Sequence, residues 1–333
     1  LRKSGILDVM RRLKSVTGLV FSIGLFMAVL IAVWQREAIY DWLRLYNYQP
    51  PAAVMQLASA TTMNDNARRI FYVQHPEIAD KAAFNKHCGN DEQTIVLGCY
   101  INRQGIYIFG VNDPRLDGVE EVTAVHEMLH AAYDRLGKSE RERINSLIDQ
   151  AYANLTDQRI RDTFEAYRTA GADTANELHS ILGTEVPSLP TQLETYYKRY
   201  FTNRAAIVGY SEQYQKAFSD RKAQATSLLA QLKQLKTQLD RLGNQIDQTE
   251  QQLDNEAKII ASEHTTTQDI PTFNARVNAY NAKITRLKGQ IASHNQLVGQ
   301  YNDVLSSYQA ITFEAGQLIK AIDSRSSSTV QAE

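Results

Sequence analysis

The sequence predicts an α+β domain, a small β-sheet plus a helix carrying a candidate active site, between an N-terminal transmembrane helix and a C-terminal antiparallel α-helical coiled-coil hairpin. Three observations predict it. Residues 15–35 hold no charge, residues 69–136 read as short strands followed by a helix, and two heptad seams run through the last third of the chain. The boundaries that follow are a basic cytoplasmic segment at 1–14, a span at 15–35, the α+β domain at 50–209, the hairpin at 210–322 and a disordered tail at 323–333.

The span is argued from length and charge. About 20 apolar residues at 1.5 Å each match a bilayer core of roughly 30 Å, whereas a cleaved signal peptide has an apolar region of about 7–15 residues. Arg2, Lys3, Arg11, Arg12 and Lys14 precede it, and only Arg36 and Arg44 closely follow it, beside Glu37 and Asp41. The positive-inside rule then places the N-terminus in the cytoplasm and the rest of the chain outside, as a single-pass membrane protein. Trp34 would sit at the outer interface.

The middle of the chain reads as strands and helices in turn. Pro50-Pro51 marks a junction. Arg69–Val73 reads as a strand, Ala79–His87 as a short helix, and Thr94–Ile101 with Ile106–Val111 as a hairpin around Asn102-Arg103-Gln104-Gly105. A helix follows from Val119 to Leu136, with Gly137 as its stop, and another from Ser139 to Leu155. The 333 residues carry two cysteines, Cys88 and Cys99, without the close pairs of a structural zinc site. A disulfide closing a short loop and two unpaired buried thiols are both open; an extracytoplasmic location favours the disulfide.

The chemistry lies in His126-Glu127-Met128-Leu129-His130. On a helix, residues four apart project from one face, so the two imidazoles can share one tetrahedral Zn²⁺. Glu127, beside the first ligand, can take a proton from a metal-activated water that then attacks a polarised carbonyl. The bland reading is a histidine pair on an ordinary amphipathic helix. The helical context and the small apolar flanks, Ala124-Val125 and Ala131-Ala132, favour the metal site.

The run from Val125 to Asp134 resembles the active-site helix of zincin metallopeptidases, and most closely the gluzincin, thermolysin-like branch, where an Asp also follows the second His by four. The metzincin branch needs a third His six residues after the second, and Leu136 stands there. The resemblance spans residues 69–204 and is sharp only at the motif. It implies a zincin-like catalytic domain and a third zinc ligand from a Glu on a later helix. It also implies an edge strand, Ile106–Val111, that pairs with extended substrate. Glu177 matches the family's Asn-Glu-x-x-Ser pattern at Asn176-Glu177 and Ser180, and is the favoured ligand over Glu185 and His179. Two departures stand out: the gap from His130 is longer than in thermolysin, and Ile181 replaces the Asp expected four residues after the ligand. Without the metal, Thr174-x-x-Glu177 is a capping box. A transition-state donor is implied as well; His179 is the choice, with Tyr196, Tyr197, Tyr200 and Arg204 as other candidates that also read as helix packing.

From Leu228 to Ile260, apolar residues step by alternating four and three, interrupted by Thr249 and Glu256. A second seam runs from Phe273 to Tyr308, with His294 in a packing position. An antiparallel hairpin is the simplest arrangement, and two-chain pairing is the alternative.

The reading that follows is a membrane-anchored, extracytoplasmic zinc metallopeptidase with a peptide or protein substrate. Its alternative is a surface coiled-coil adaptor with a structural or inactive zincin-like domain. The coiled coil is a candidate surface for a protein partner. A net charge of −1 with no basic domain argues against nucleic acid.

Overall fold

A computed structural model describes residues 22, 24–89, 95–263 and 269–325. They fall into two compact units. One comprises the described residues up to Asn112, Asp117–Glu212 and those from Ile322 on; the other comprises Asp113–Leu116 and Gln213–Ala321.

The first unit is helical around a three-stranded sheet. Its elements are α1 (Arg36–Leu45), α2 (Ala52–Ala60), α3 (Asp65–Val73), β1 (Glu77–Ala79), α4 (Lys81–His87), β2 (Gly98–Ile101), β3 (Gly105–Phe109), α5 (Val119–Asp134), α6 (Lys138–Ala153), α7 (Gln158–Ala170), α8 (Thr174–Glu185) and α9 (Thr191–Tyr197). The sheet order is β1-β3-β2, with β1 parallel and β2 antiparallel to β3. Ile106 and Ile108 of β3, Val125, Met128 and Leu129 of α5, and Ile181 and Leu182 of α8 share one core. This places α5 between the sheet and α8.

The fold class read from the sequence is therefore corrected: helix dominates and the sheet is small. Arg69–Val73 is helix, not strand. Asn64 caps it by accepting from the Ala67 N–H, and Ala67, Ile70 and Phe71 are buried at helical spacing, so the period of the buried face overrides the β-prone composition. Asp80 caps α4 in the same way, which leaves Ala79 in β1. The implied substrate-pairing strand is corrected too. Strand β3 is hydrogen-bonded on both sides and has no free edge; β1 and β2 are the edges. Gly137 does not stop α5, which ends at Asp134, but occupies the N-cap of α6.

The membrane span is the largest correction. Among the described residues no helix is long and apolar enough to cross a membrane. Residues 1–21 and 23, and with them much of the expected span, lie outside the described residues. The helix that includes residues 24–34 leads into α1. It then meets Arg36, Glu37 and Asp41, and Asp41 is buried in a bidentate pair with Arg135 at 2.8 and 3.0 Å. The single-pass, outward-facing placement drawn from that span falls with it.

Cys88 and Cys99 are joined by a disulfide, with Cα atoms 5.8 Å apart. It ties the end of α4 to β2. Of the tail read as disordered, residues 326–333 lie outside the described residues, while Asp323 and Ser324 are buried. Their carbonyls accept from Lys81 Nζ and Asn85 Nδ2, each at 3.0 Å.

The second unit is dominated by two long helices, α10 (Arg204–Glu263, which begins in the first unit) and α11 (Ile270–Ile322). Arg221 pairs with Glu314, Thr249 with Gln290, Glu256 with Lys283 and Glu263 with Arg276, so the helices run antiparallel. The polar interruptions Thr249 and Glu256 thus meet polar partners across the seam.

Candidate metal centre

Helix α5 presents His126 and His130 one turn apart, with ring centroids 4.7 Å apart and planes at 79°. Helix α8 brings Glu177 to them. Its Oε2 lies 3.5 Å from His126 Nε2 and 3.7 Å from His130 Nε2. The three donor atoms lie within 4.8 Å of one another and are the one such group among the described residues. Glu177 Oε2 is buried and has no hydrogen-bond partner. A tetrahedral zinc with ligands at about 2.0–2.2 Å needs donors roughly 3.3–3.6 Å apart, close to the 3.5 and 3.7 Å that separate Glu177 Oε2 from the two imidazoles.

Packing fixes this meeting. Gly183 of α8 lies against Leu129 of α5, where an added Cβ would stand 2.5 Å from Leu129 Cδ1. The Tyr197 hydroxyl donates to the His179 carbonyl at 2.6 Å and holds α8 from behind. Glu177 is not a capping residue. Asp173 is the N-cap and accepts from the Asn176 N–H, which frees the Glu177 carboxylate for the histidines.

The other candidates go elsewhere. Glu185 ends α8 and pairs with Arg159 at 2.7 Å. His179 is fully buried, its Nε2 2.9 Å from the Tyr196 hydroxyl, and it does not line the cleft. Tyr196, Tyr197 and Tyr200 are buried in the core, and Arg204 binds the carbonyls of Leu182, Val186 and Pro187. None of these four lines the cleft. Asp134 accepts from Asn102 Nδ2 at 3.1 Å.

The cleft has a volume of about 270 Å³, and Val96, Gly98 and Tyr100 form one wall with Tyr167, Asn176 and Glu177 opposite. Two contributors were not assigned roles from sequence. Asn176 Oδ1 lies 2.9 Å from His130 Nδ1, with Ser180 Oγ at 3.4 Å. The Asn-Glu-x-x-Ser pattern contained that signal. The Tyr100 backbone N–H donates to the Glu127 carboxylate. A backbone donor leaves no trace in sequence.

Burial governs the charges. It pushes the Glu127 carboxyl up to about 7, against the pull of His126 and with the push of Glu177. It lowers His130 to about 4, helped by His126, so that imidazole is neutral and able to ligate. For His126, burial disfavours the cation, but the Glu177 carboxylate 3.5 Å away and the charge of Glu127 outweigh it and raise the pKa. For Glu177, burial is outweighed by the two imidazoles and the pKa falls. His179 is lowered to about 3 by burial and by the two site histidines.

The arrangement of two imidazoles, one carboxylate and a second carboxylate beside them can hold a divalent cation and move a proton next to it. No protein-family model matches the chain, and no curated protein or solved structure is found to be similar to it.

Proposed function

We propose that this chain is a zinc-dependent metallopeptidase of the gluzincin type, with His126, His130 and Glu177 as metal ligands and Glu127 as general base. One observation carries the reading. A buried carboxylate oxygen of Glu177, with no hydrogen-bond donor, faces two imidazole nitrogens at 3.5 and 3.7 Å. A buried acceptor without a partner is costly, and a cation at that point satisfies it.

Zinc held by His126, His130 and Glu177 would supply a water of pKa about 7 and would polarise the carbonyl under attack. Asn176 accepts the Nδ1 proton of His130 and so holds its Nε2 lone pair toward the ligand position. Glu127 would receive the proton of the attacking water as the C–O bond forms and would then return it to the amine nitrogen as the peptide C–N bond breaks. Its raised pKa, about 7, suits a group that both accepts and donates near neutrality. The burial of Glu127 keeps bulk water from competing for that proton.

The test uses the purified chain, metal analysis and hydrolysis of denatured casein. The wild type is expected to hold zinc and cleave; Glu127→Gln is expected to hold zinc and lose cleavage. Undiminished cleavage by Glu127→Gln would sink the mechanism. A zinc-loaded wild type that cleaves nothing would favour the alternative, an interaction protein built around α10 and α11.

A further inference from the structure

We propose that the tripeptide Gly98-Cys99-Tyr100 of the edge strand β2 is a positioning clamp for the Glu127 carboxylate, locked in place by the Cys88–Cys99 disulfide. The inference rests on Glu127 being the general base.

The contact is close. A Cβ added at Gly98 would stand 2.7 Å from Glu127 Oε1, 2.8 Å from its Cγ and 2.5 Å from Thr123 Cγ2. The strand backbone therefore lies directly on the side chain of the base, at a distance that admits only glycine. Two residues on, the Tyr100 N–H donates to the same carboxylate. The geometry of the ladder makes this natural. The Leu97 carbonyl accepts from the Phe109 N–H, which turns the polar groups of Leu97, Cys99 and Ile101 toward β3. In an antiparallel pair, alternate residues then present theirs at the free edge, and these are Gly98 and Tyr100.

An edge strand of four residues is held on one side only. Its Ile101 end is fixed by the turn into β3. Its Gly98 end has no such turn and would fray. Cys99, between the two clamping residues, sends its side chain to the opposite face, where Cys88, Phe84, Ala79 and Phe109 form a separate small core. Phe84 and Phe109 meet there edge to face at 5.6 Å. The disulfide thus ties the middle of the clamp to packed structure. The sulfurs play no part in the chemistry; Cys88, Cys99 and Gly98 act through Glu127.

The experiment uses the full chain loaded with zinc, as wild type, Gly98→Ala and Cys88→Ser/Cys99→Ser. It reads zinc content, kcat and KM on the best-cleaved member of a quenched-fluorescence peptide library, and amide hydrogen exchange at Tyr100 and Ile108. Both variants are expected to keep wild-type zinc content and protection of Ile108, and to exchange the Tyr100 amide faster. Their kcat is expected to fall about tenfold or more, since a misplacement of about 1 Å costs up to 10²-fold, while KM stays within about twofold. If kcat is unchanged in the double serine variant, or if zinc is lost in step with activity, the clamp is overturned and the disulfide is structural only. If the wild type cleaves no library peptide, the proposed function fails instead. Tyr100 exchange in Glu127→Ala then decides the clamp alone: acceleration supports it and no change refutes it.

Discussion

The side-chain oxygen of Asn176 lies 2.9 Å from Nδ1 of His130. An amide oxygen only accepts, so the imidazole proton sits on Nδ1 and Nε2 is left with its lone pair toward Glu177. Removing that oxygen releases both ring orientation and tautomer. Asn176→Ala is expected to weaken zinc binding about 10–100-fold, whereas Asn176→Asp, which keeps the acceptor, retains it. Competition against a chromogenic chelator measures both; equal affinity of Asn176→Ala and wild type would contradict the role.

The choice between Glu177 and Glu185 can be put to the same assay. Glu177→Ala is expected to lose most of its zinc at equilibrium. Glu185→Ala is expected to keep it, because that carboxylate is engaged by Arg159 on α7. An ion pair with such a solvent-accessible arginine contributes about 0–1 kcal/mol, so the thermal stability of Glu185→Ala should hardly move. Zinc retained in the first variant and lost in the second would reverse the assignment.

The junction of α8 with α5 has no room to spare. Gly183→Ala would press its Cβ to 2.5 Å from Leu129 Cδ1 and 2.9 Å from Tyr197 Cε1. Overpacking of this kind costs about 1–3 kcal/mol. It should also weaken zinc binding, because the helix that moves carries Glu177. Gly243→Ala is the control. Nothing lies within 4 Å of that position on α10, and Ala there should stabilise the helix by about 0.5–1 kcal/mol. Calorimetry of the two variants would show opposite shifts in Tm.

Zinc binding at the proposed site would be linked to folding. A ligand that binds only the folded chain stabilises it by about 2.7 kcal/mol at a free concentration one hundred times Kd. Chelation should therefore lower the Tm, and zinc should restore it. Glu127→Gln should show the same shift as the wild type, and His126→Ala little or none. An equal shift in His126→Ala would place the stabilising zinc somewhere else.

Much of the site was legible because it is local. His126, Glu127 and His130 share a helix turn, and the 3.6-residue period alone puts both imidazoles on one face. The Asn176-Glu177 pair was legible only through its likeness to a family pattern. Nothing local distinguishes it from a capping box, and only the cap at Asp173 removes that reading. His179, the donor suggested by the sequence, lies outside the cleft. It lies two residues from Glu177, and on a helix that is the opposite face, so the packing of α8 sends it to Tyr196 and away from the cleft.

The sequence by itself determined that His126, Glu127 and His130 share one helix turn, the pairing potential of its two cysteines and the heptad seams of its last third, because each is written in residue identity and short-range period. Only the tertiary structure decided the rest. It made Arg69–Val73 helix, gave β3 two neighbours and left β1 and β2 at the edges. It showed no helix long and apolar enough to cross a membrane among the described residues, and it brought Glu177, rather than Glu185, to the histidines. These outcomes depend on which faces are buried together across tens of residues, and Gly183 against Leu129 is such a contact. A hydrophobic period tells which face is buried but not what it is buried against.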